Sequence, residues 1–293
     1  SNADYVAVFG GDHIYKMDIR QMIEFHAVSR ADIAIAALEV TRAEARRFGV
    51  FEVDRHGKVL TFAEKPTEPK MIPGSEMCFA SMGNYIFSRE KLISVIKRGM
   101  KLYTDLDFGK HVIPMMLEEG DRVFAYNFND NLIPDMTPEE KGYWKDVGTL
   151  DSYYEANMDL IAVSPQLNLY NDKWPIMTKP SNQPPAKTVF DDDDRRGQSL
   201  DSYISGGCVI SGGTVRRSIL GPQCRINSYS LVEDSILLHG AWIGRNSKIK
   251  RAIVDEGVEI PDGSVIGYDH DADRKAGYTV TEQGIVVVSN CLR

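Results

Sequence analysis

The last third of the chain repeats an aliphatic residue at every sixth position. Three phased sets carry this spacing, with glycines and other turn-forming residues in the gaps: Ile226, Val232 and Leu238; Ile243 and Ile249; Val254, Ile260 and Ile266. A period of six fits neither an amphipathic helix nor one ordinary strand. It is typical of the hexapeptide repeat, in which each flat side of a coil contributes one inward aliphatic residue and stacked coils bury a continuous column. Residues 201–293 are therefore predicted to form a parallel β-helix of roughly four coils. The alternative is an irregular β-sandwich in which the spacing arises by chance.

Residues 1–162 have a different rhythm, in which strand-like and helix-like segments alternate. The apolar run Tyr5–Phe9 is followed by apolar residues at helical spacing from Ile19 to Ala27. Val50–Val53 and Val59–Phe62 flank a turn and predict a hairpin. Strands and helices in alternation favour an α/β domain with a largely parallel sheet.

Residues 163–200 separate these two regions. They hold five prolines and the acidic run Asp191–Asp194, which predicts a linker or a long surface loop. A solvated run is favoured over a metal site for these acids. At the other end, Ser1–Ala3 is typical of a tag remnant, and Asp4 leads directly into an apolar run. Because a natural domain seldom begins inside a buried strand, the sequence predicts that an upstream segment was removed.

The composition is that of a soluble globular protein, with 43% hydrophobic and 26% charged residues. The net charge of −8 argues against a nucleic-acid partner, because phosphate binding needs a basic face. Four cysteines without a CxxC pair indicate neither a disulfide framework nor a zinc site, and six histidines without HExxH spacing disfavour a zinc hydrolase. With no run of about 18 apolar residues and no signal peptide, the sequence predicts a cytoplasmic protein with no membrane partner.

Two acids at the ends of predicted elements are candidate metal ligands. Asp12 follows an apolar strand and two glycines, at the place where ligands bind in open α/β sheets. Asp146 precedes a helix whose N-cap is predicted to be Thr149, which leaves the acid for another role. Mg²⁺ prefers carboxylate oxygens and bridges to substrate phosphates, so the two acids predict a magnesium site. For Asp12, a simple cap of the turn or of the following helix is an equal alternative.

A second group of candidates consists of small and polar residues beside predicted strands. Glu64 and Lys65 end a strand that Pro66 stops; a lysine neutralises a phosphate, and a glutamate accepts hydrogen bonds from sugar hydroxyls. Gly49 allows backbone to approach a ligand closely, and Ser81 precedes another strand where it could meet a sugar. Taken singly, a turn glycine and a surface ion pair explain these residues as well.

Together these segments resemble the bacterial ADP-glucose pyrophosphorylase family. The resemblance runs in order along nearly the whole chain and is carried by Gly11–Lys16, Phe48–Val50, Glu64–Pro66, Ala80–Gly83, Asp107–Lys110, Tyr143–Thr149, Tyr170–Ile176, Pro184–Lys187 and Ser205–Gly212. The stretches around Trp174 and Pro184 separate this family from other sugar nucleotidyltransferases with β-helical tails.

The resemblance implies an incomplete nucleotidyltransferase domain, Rossmann-like with a mixed, mostly parallel sheet, followed by a left-handed parallel β-helix. It implies that ATP and glucose 1-phosphate react to give ADP-glucose and pyrophosphate in glycogen biosynthesis. It also implies Mg²⁺ as cofactor and an allosteric homotetramer assembled through the β-helix. The residues that match by position are Asp12 and Asp146 for metal binding, the same two acids with Lys65 for catalysis, and Gly49, Glu64, Lys65 and Ser81 for glucose 1-phosphate.

The sequence departs from the family pattern in three places. A glycine-rich loop with a basic residue, which cradles the triphosphate in the family, has no counterpart here, so no ATP contacts are assigned and the chain alone is expected to be inactive. An acid and an arginine linked to an AMP-type inhibitor fall on Gly240 and Glu256, and neither matches. The tail after Gly284 lacks the extended basic end that some members use for a sugar-bisphosphate activator.

Two other functions fit part of the sequence. A non-catalytic regulatory or assembly subunit of the same family is the first, and a glycine-rich loop encoded in frame upstream would speak against it. A hexapeptide-repeat acyltransferase is the second. Such enzymes use more coils and a catalytic histidine at a coil edge, whereas the repeat region of this sequence offers His239 and His270.

Overall fold

The computed structural model describes residues 3–289, and part of the predicted tag remnant (Ser1 and Asn2) and Cys291 lie outside the described residues. The chain forms two compact units that divide between Trp144 and Lys145. As domain limits, 1–162, 163–200 and 201–293 stay predictions. Among the described residues, no helix combines the length and the apolar character that crossing a membrane requires.

The first unit combines one sheet with helices on both of its faces. Its strands are β1 (Tyr5–Val8), β2 (His13–Ile14), β3 (Ile33–Thr41), β4 (Gly49–Val53), β5 (Val59–Glu64), β6 (Met77–Ser88) and β7 (Val123–Asn127). Its helices are α1 (Ile19–Val28), α2 (Arg42–Ala45), α3 (Arg89–Leu102), a π-helix (Phe108–Val112) that continues into α4 (Ile113–Glu118), and a 3₁₀ turn (Phe128–Asp130). The predicted β4–β5 hairpin is confirmed.

The sheet has the order β5-β4-β6-β3-β7, and β1 pairs with the C-terminal part of β6. It is mixed, as predicted, but the share of parallel pairs is smaller than predicted, because β3–β7 is the one parallel pair among those described. The helical crossovers do make β1, β3 and β7 run in one direction. The long strand β6 lies between β1 and β3 and runs the opposite way, so that both pairs become antiparallel.

Alternation along β3 explains how this sheet buries both faces. Ile33, Ile35 and Ala37 pack into one cluster with residues of α3 and α4, whereas Ala34 and Ala36 join a second cluster with Met22 of α1. Successive side chains of a strand point to opposite faces, so a strand that is apolar at every position needs cover on both sides.

The second unit is a parallel β-helix preceded by one helix. It begins with β8 (Lys145–Asp146) and α5 (Leu150–Asp159), and α6 (His270–Lys275) follows the last complete coil. The coil strands are β9 (Lys187–Val189), β10 (Asp191–Asp192), β11 (Arg195–Arg196), β12 (Gln198–Leu200), β13 (Tyr203–Ile204), β14 (Val209–Ser211), β15 (Thr214–Arg216), β16 (Ile219–Leu220), β17 (Arg225–Ile226), β18 (Leu231–Glu233), β19 (Ile236–Leu237), β20 (Trp242–Ile243), β21 (Lys248–Lys250), β22 (Ala252–Val254), β23 (Glu259–Ile260), β24 (Val265–Ile266), β25 (Thr279–Val280) and β26 (Val286–Val288).

Among the described strands, β10 and β11 pair only with each other, antiparallel. The other coil strands stack into three sheets with the orders β23-β20-β17-β14-β9, β12-β15-β18-β21-β24 and β13-β16-β19-β22-β26-β25. All stacked pairs described are parallel except β25–β26. The inward aliphatic residues form one buried column. The β-helix predicted from the six-residue period is confirmed, and the β-sandwich alternative is wrong.

One member of the predicted sets does not point inward. Leu237 occupies the column, whereas Leu238 packs outside it in a cluster with Tyr154 of α5. Ile226 stacks on Ile243 and Ile243 on Ile260, so one coil takes seventeen residues instead of the eighteen of three full hexads. One corner of the coil is therefore one residue shorter than three full hexads require, and this moves the inward position by one residue, from 238 to 237.

The predicted linker at residues 163–200 contains regular structure at its C-terminal end. Strand β9 pairs with β14, and β12 pairs with β15, so the coils begin before residue 201. The acids at 191 and 193 are exposed, with side chains 90% and 101% accessible, and both pair with Arg196. They are solvated, as predicted.

Candidate active site

The β4–β5 hairpin ends in a polar corner that holds three of the predicted substrate residues. Gly49 and Glu64 are register partners at the open end of the hairpin. The Lys65 N–H donates to the carbonyl of Phe48 at 3.0 Å. The φ of Lys65 is 47°, a left-handed conformation that is uncommon for a residue with a side chain and is enriched at functional sites. The hairpin therefore fixes Gly49, Glu64 and Lys65 beside one another.

The Glu64 carboxylate is partly buried and is bordered by two glycines, Gly49 on β4 and Gly109 in the π-helix. Burial raises the pKa of Glu64, and the negative charge of Asp107 raises it further, whereas two neighbouring lysines oppose both effects. A carboxyl group in this setting is suited to accept hydrogen bonds from a polar neutral group such as a sugar hydroxyl.

Asp107 supplies a second carboxylate to this corner. It is the N-cap of the π-helix, where its Oδ1 accepts from the N–H of Lys110 at 2.7 Å. Its own N–H donates to Nδ1 of His111 at 3.1 Å, and the His111 ring stacks on Tyr103 with the ring centroids 4.0 Å apart. These contacts fix the start of the π-helix against Glu64.

Ser81 reaches the same corner through Tyr85, its neighbour on β6. Tyr85 is buried, and desolvation raises the pKa of its hydroxyl to about 12, against the opposing hydrogen bond with Ser81. The charges of Glu64 and Asp107 contribute to this increase in the pKa of Tyr85. Ser81 Oγ also accepts from the N–H of Gly83 at 3.2 Å.

Asp12 lies in the loop between β1 and β2. Its side chain is 60% exposed, and its Oδ1 lies 3.5 Å from Nε2 of His13. The alternative that Asp12 caps the following helix is wrong, because the N-cap of α1 is Asp18, whose side chain accepts from the N–H of Arg20. The exposed Asp12 carboxylate lies in the loop that follows the end of β1.

Aromatic contacts connect Asp12 to the Glu64 corner. The ring of His13 packs edge-on against Trp144 with the centroids 4.9 Å apart, and Trp144 packs in the same way against Phe48 at 5.2 Å. Buried atoms His13 Nδ1 and Trp144 Nε1 have no hydrogen-bond partner among residues 3–289. Unsatisfied buried polar atoms are rare and are typical of places where a water or a ligand binds.

Asp146 belongs to the second unit, at the end of β8. Its Oδ1 accepts from the N–H of Gly148 at 2.8 Å. The predicted N-cap is confirmed, because Thr149 forms a capping box with Ser152 at the start of α5. The joint binding of Mg²⁺ by Asp146 and Asp12 stays a prediction.

The structure adds residues that sequence reasoning did not assign to the site, namely Tyr85, Asp107, Gly109, His13 and Trp144. All five stand in or beside stretches that carry the family resemblance. Their position relative to Glu64 or Asp12 could not be derived, because no local spacing connects residue 64 to residue 107. The available signal in the sequence was an acid, Asp107, with a glycine two positions later, Gly109, at the start of a helix.

Comparisons with known proteins agree with this architecture. The nucleotidyl transferase family model matches residues 1–163, and the model of a GlmU-like C-terminal hexapeptide region matches residues 184–288. Fold and comparison together define a nucleotidyltransferase with a hexapeptide-repeat domain.

Individual relatives narrow this class. Glucose-1-phosphate adenylyltransferases from Trichlorobacter lovleyi and Geobacter metallireducens are each 69% identical, over 98% and 99% of this chain and 70% of each relative. The enzyme of the same name from Shewanella baltica is 52% identical over 97% of this chain and 67% of the relative. The chain belongs to the glucose-1-phosphate adenylyltransferase family.

Proposed function

We propose that this chain takes part in the transfer of adenylyl from ATP to glucose 1-phosphate, which gives ADP-glucose and pyrophosphate for glycogen biosynthesis. The observation that carries the proposal is the polar corner at the open end of the β4–β5 hairpin, where Glu64 pairs with Gly49 and is followed directly by Lys65, so that a carboxyl and a cation are neighbours in the chain. The relatives, which are glucose-1-phosphate adenylyltransferases, support the same reaction.

In this proposal Lys65 neutralises the phosphate of the sugar, Glu64 and Ser81 accept or donate hydrogen bonds to sugar hydroxyls, and Gly49 leaves room for the ring. A phosphate oxygen of glucose 1-phosphate attacks the α-phosphorus of ATP; one P–O bond forms, the bond to the β-phosphate breaks, and pyrophosphate leaves. Because the attacking oxygen is already anionic, no general base is needed. In-line positioning and charge neutralisation are sufficient.

Asp12 and Asp146 are the proposed ligands of Mg²⁺. Both offer carboxylate oxygens, which are hard donors of the kind that Mg²⁺ takes when it bridges to phosphates. The exposed Asp12 carboxylate at the sheet end fits such a role. When bound, the ion would supply charge neutralisation at the reacting phosphates.

We further propose that these 293 residues provide the sugar-phosphate side of the reaction and make no ADP-glucose by themselves. The basis is that no glycine-rich loop with a basic residue, as a triphosphate requires, occurs in the sequence. Turnover by the isolated chain would contradict this part. A regulatory or assembly subunit of the same family is the alternative, and failure to bind glucose 1-phosphate would favour it.

A homotetramer assembled through the β-helix and a cytoplasmic location complete the proposal. The open ends and flat sides of a β-helix are natural association surfaces. Sedimentation velocity tests the predicted homotetramer directly. A clean monomer at micromolar concentration would contradict the assembly.

The sugar-phosphate site is tested by isothermal titration with glucose 1-phosphate. Replacing Lys65 by Gln is expected to weaken binding by about tenfold or more, because a charge-assisted hydrogen bond to phosphate is lost. Lys70→Gln is the matched control, since Lys70 pairs with Glu52 on an exposed surface. Equal affinities of the wild-type chain and the Lys65 variant would contradict the assignment.

A further inference from the structure

Gly109 lies in the π-helix, with its backbone directly against the Glu64 carboxylate. A Cβ placed on Gly109 would lie 2.5 Å from Glu64 Oε2 and 3.2 Å from Glu64 Cδ. The next atom, Oδ1 of Asp107, would be at 3.4 Å, an ordinary contact. A side chain at position 109 therefore competes with the Glu64 carboxylate and with little else.

Gly49 borders the same carboxylate from strand β4, but two different side chains exclude a Cβ at this position. A Cβ there would lie 2.9 Å from Glu64 Oε2 and would also collide with the ring of Phe62. Packing of the sheet thus requires glycine at position 49 even without Glu64. Gly109 is the position where the carboxylate alone sets the requirement.

Backbone conformation gives no other reason for glycine at position 109. Gly109 does not have a positive φ, in contrast to Gly120 with a φ of 76°. Glycine is a poorer helix former than alanine, so a helical position with ordinary φ and no steric conflict favours alanine. The local preference of the helix and the space needed by Glu64 therefore point in opposite directions.

The π-helix fixes the position of Gly109. Phe108 stacks on Tyr85 with the centroids 5.5 Å apart and packs against Phe87 at 5.7 Å. On the other side of Gly109, the N–H of Lys110 donates to Oδ1 of Asp107, which caps the first turn. Single π-turns are rare and occur frequently at functional sites. With both neighbours anchored, the backbone at Gly109 cannot retreat from the carboxylate.

We propose that Gly109 is a positioning residue that sets the conformation of the Glu64 side chain and thereby determines how tightly the site holds the sugar part of a sugar phosphate. The inference rests on the proposed contact between Glu64 and the sugar. It adds that an apolar methyl group at position 109 is enough to remove this contact.

The test is isothermal titration with glucose 1-phosphate and, separately, with inorganic phosphate, on the wild-type chain and on Gly109→Ala. Affinity for glucose 1-phosphate is expected to fall by about fivefold or more, as when one hydrogen bond to a charged group is lost. Affinity for inorganic phosphate, which Lys65 would hold, is expected to remain unchanged. The thermal midpoint should be equal or higher, because alanine favours the helix.

Two further variants separate positioning from a general structural effect. In a Glu64→Ala background, Gly109→Ala should have no additional effect on glucose 1-phosphate affinity, because coupled residues are non-additive. Gly99→Ala is the matched control: it is a helical glycine of α3 whose added methyl would meet Leu106 and Met115. It should lower the thermal midpoint and leave the sugar affinity as it was.

The outcomes distinguish this inference from the proposed function. If Glu64→Ala weakens glucose 1-phosphate binding but Gly109→Ala does not, the positioning role is overturned and the sugar site stands. Two outcomes overturn both the assignment of Glu64 and the inference. In the first, the wild-type chain binds no glucose 1-phosphate; in the second, the Glu64→Ala variant binds it as tightly as the wild type does. If Gly109→Ala lowers the affinity for glucose 1-phosphate and for inorganic phosphate equally, the positioning role is also overturned.

Discussion

At the scale of single residues, the clearest stabilising contact outside the site is the pair Asp32–Arg122. The Asp32 carboxylate is buried and accepts from the backbone N–H of Arg122 at 2.9 Å and from its guanidinium at 3.0 and 3.2 Å. Burial by itself would raise the pKa of Asp32, but the hydrogen bonds and the charge of Arg122 outweigh it, so the pKa lies below its ordinary value. The pair joins the start of β3 to the start of β7.

Replacing Asp32 by Asn is expected to lower the free energy of unfolding by about 1.5–3 kcal/mol at neutral pH, the range for hydrogen bonds to charged groups. A depressed carboxyl pKa contributes stability that is present above the unfolded value of about 3.9 and is lost as pH falls through the folded value. The difference in the free energy of unfolding between the wild type and the Asp32→Asn variant should therefore shrink at acidic pH. Urea unfolding at several pH values measures this difference.

The control for this prediction is Asp193→Asn, because Asp193 is fully exposed in its pairing with Arg196. Exposed ion pairs contribute little, so this variant should unfold like the wild type at every pH. A gap between the Asp32 variant and wild type that stays constant down to pH 3 would contradict the assigned pKa direction.

At the scale of elements, a buried ion pair joins the segment after β2 to the loop that ends in Trp144. Lys16 Nζ lies 2.9 Å from Glu140 Oε1, and the two side chains are only 5% and 2% exposed. Glu140 Oε2 also accepts from the N–H of Thr137 at 3.1 Å. Side-chain contacts of this kind hold such a loop in place, because it lacks a regular pattern of backbone hydrogen bonds of its own.

Lys16→Met is expected to destabilise the protein by about 3–5 kcal/mol, since it removes a buried cation that pairs with a buried carboxylate. Lys70→Met at the exposed pair with Glu52 is the control and should cost less than about 1 kcal/mol. Chemical unfolding followed by tryptophan fluorescence provides the comparison. Similar losses for both variants would show that burial does not govern the Lys16–Glu140 interaction.

At the scale of the whole molecule, the second unit has a hydrophobic core of its own. The buried column of the β-helix consists of residues from Cys208 to Val288. Tyr154 of α5 packs with Ile236, Ile253 and Ile285 on its outer side, and its hydroxyl donates to the Asp234 carbonyl at 2.6 Å. Stacked coils bury a continuous column that needs only its neighbours, so this unit has what independent folding requires.

Residues 145–293 produced alone are expected to fold, with α5 docked on the coils. The expected result is a cooperative thermal transition with a circular dichroism spectrum dominated by β-structure. The same segment starting at residue 163, without α5, serves as the comparison and should melt at a lower temperature because Tyr154 no longer covers its cluster. A segment that binds a hydrophobic dye and melts without cooperativity would refute independent folding.

The sequence by itself determined the features that depend on local spacing. The period of six predicted the β-helix, the turn between Val53 and Val59 predicted a hairpin, and Thr149 was identified as an N-cap. Periodicity and turn chemistry suffice for these because each rests on residues close together in the chain. The order of motifs along the chain was likewise enough to indicate the family that the relatives establish.

The tertiary structure decided what depends on residues far apart. It placed β6 between β1 and β3, and so made the sheet mostly antiparallel. It turned Leu237 inward and Leu238 outward, because the shortened corner of a coil is defined by the strand stacked beside it. It set Gly109 against Glu64, so that a side chain at this helix position would meet the carboxylate although the local helix preference favours alanine. No local preference encodes these contacts, since each is fixed by the space that a distant segment occupies.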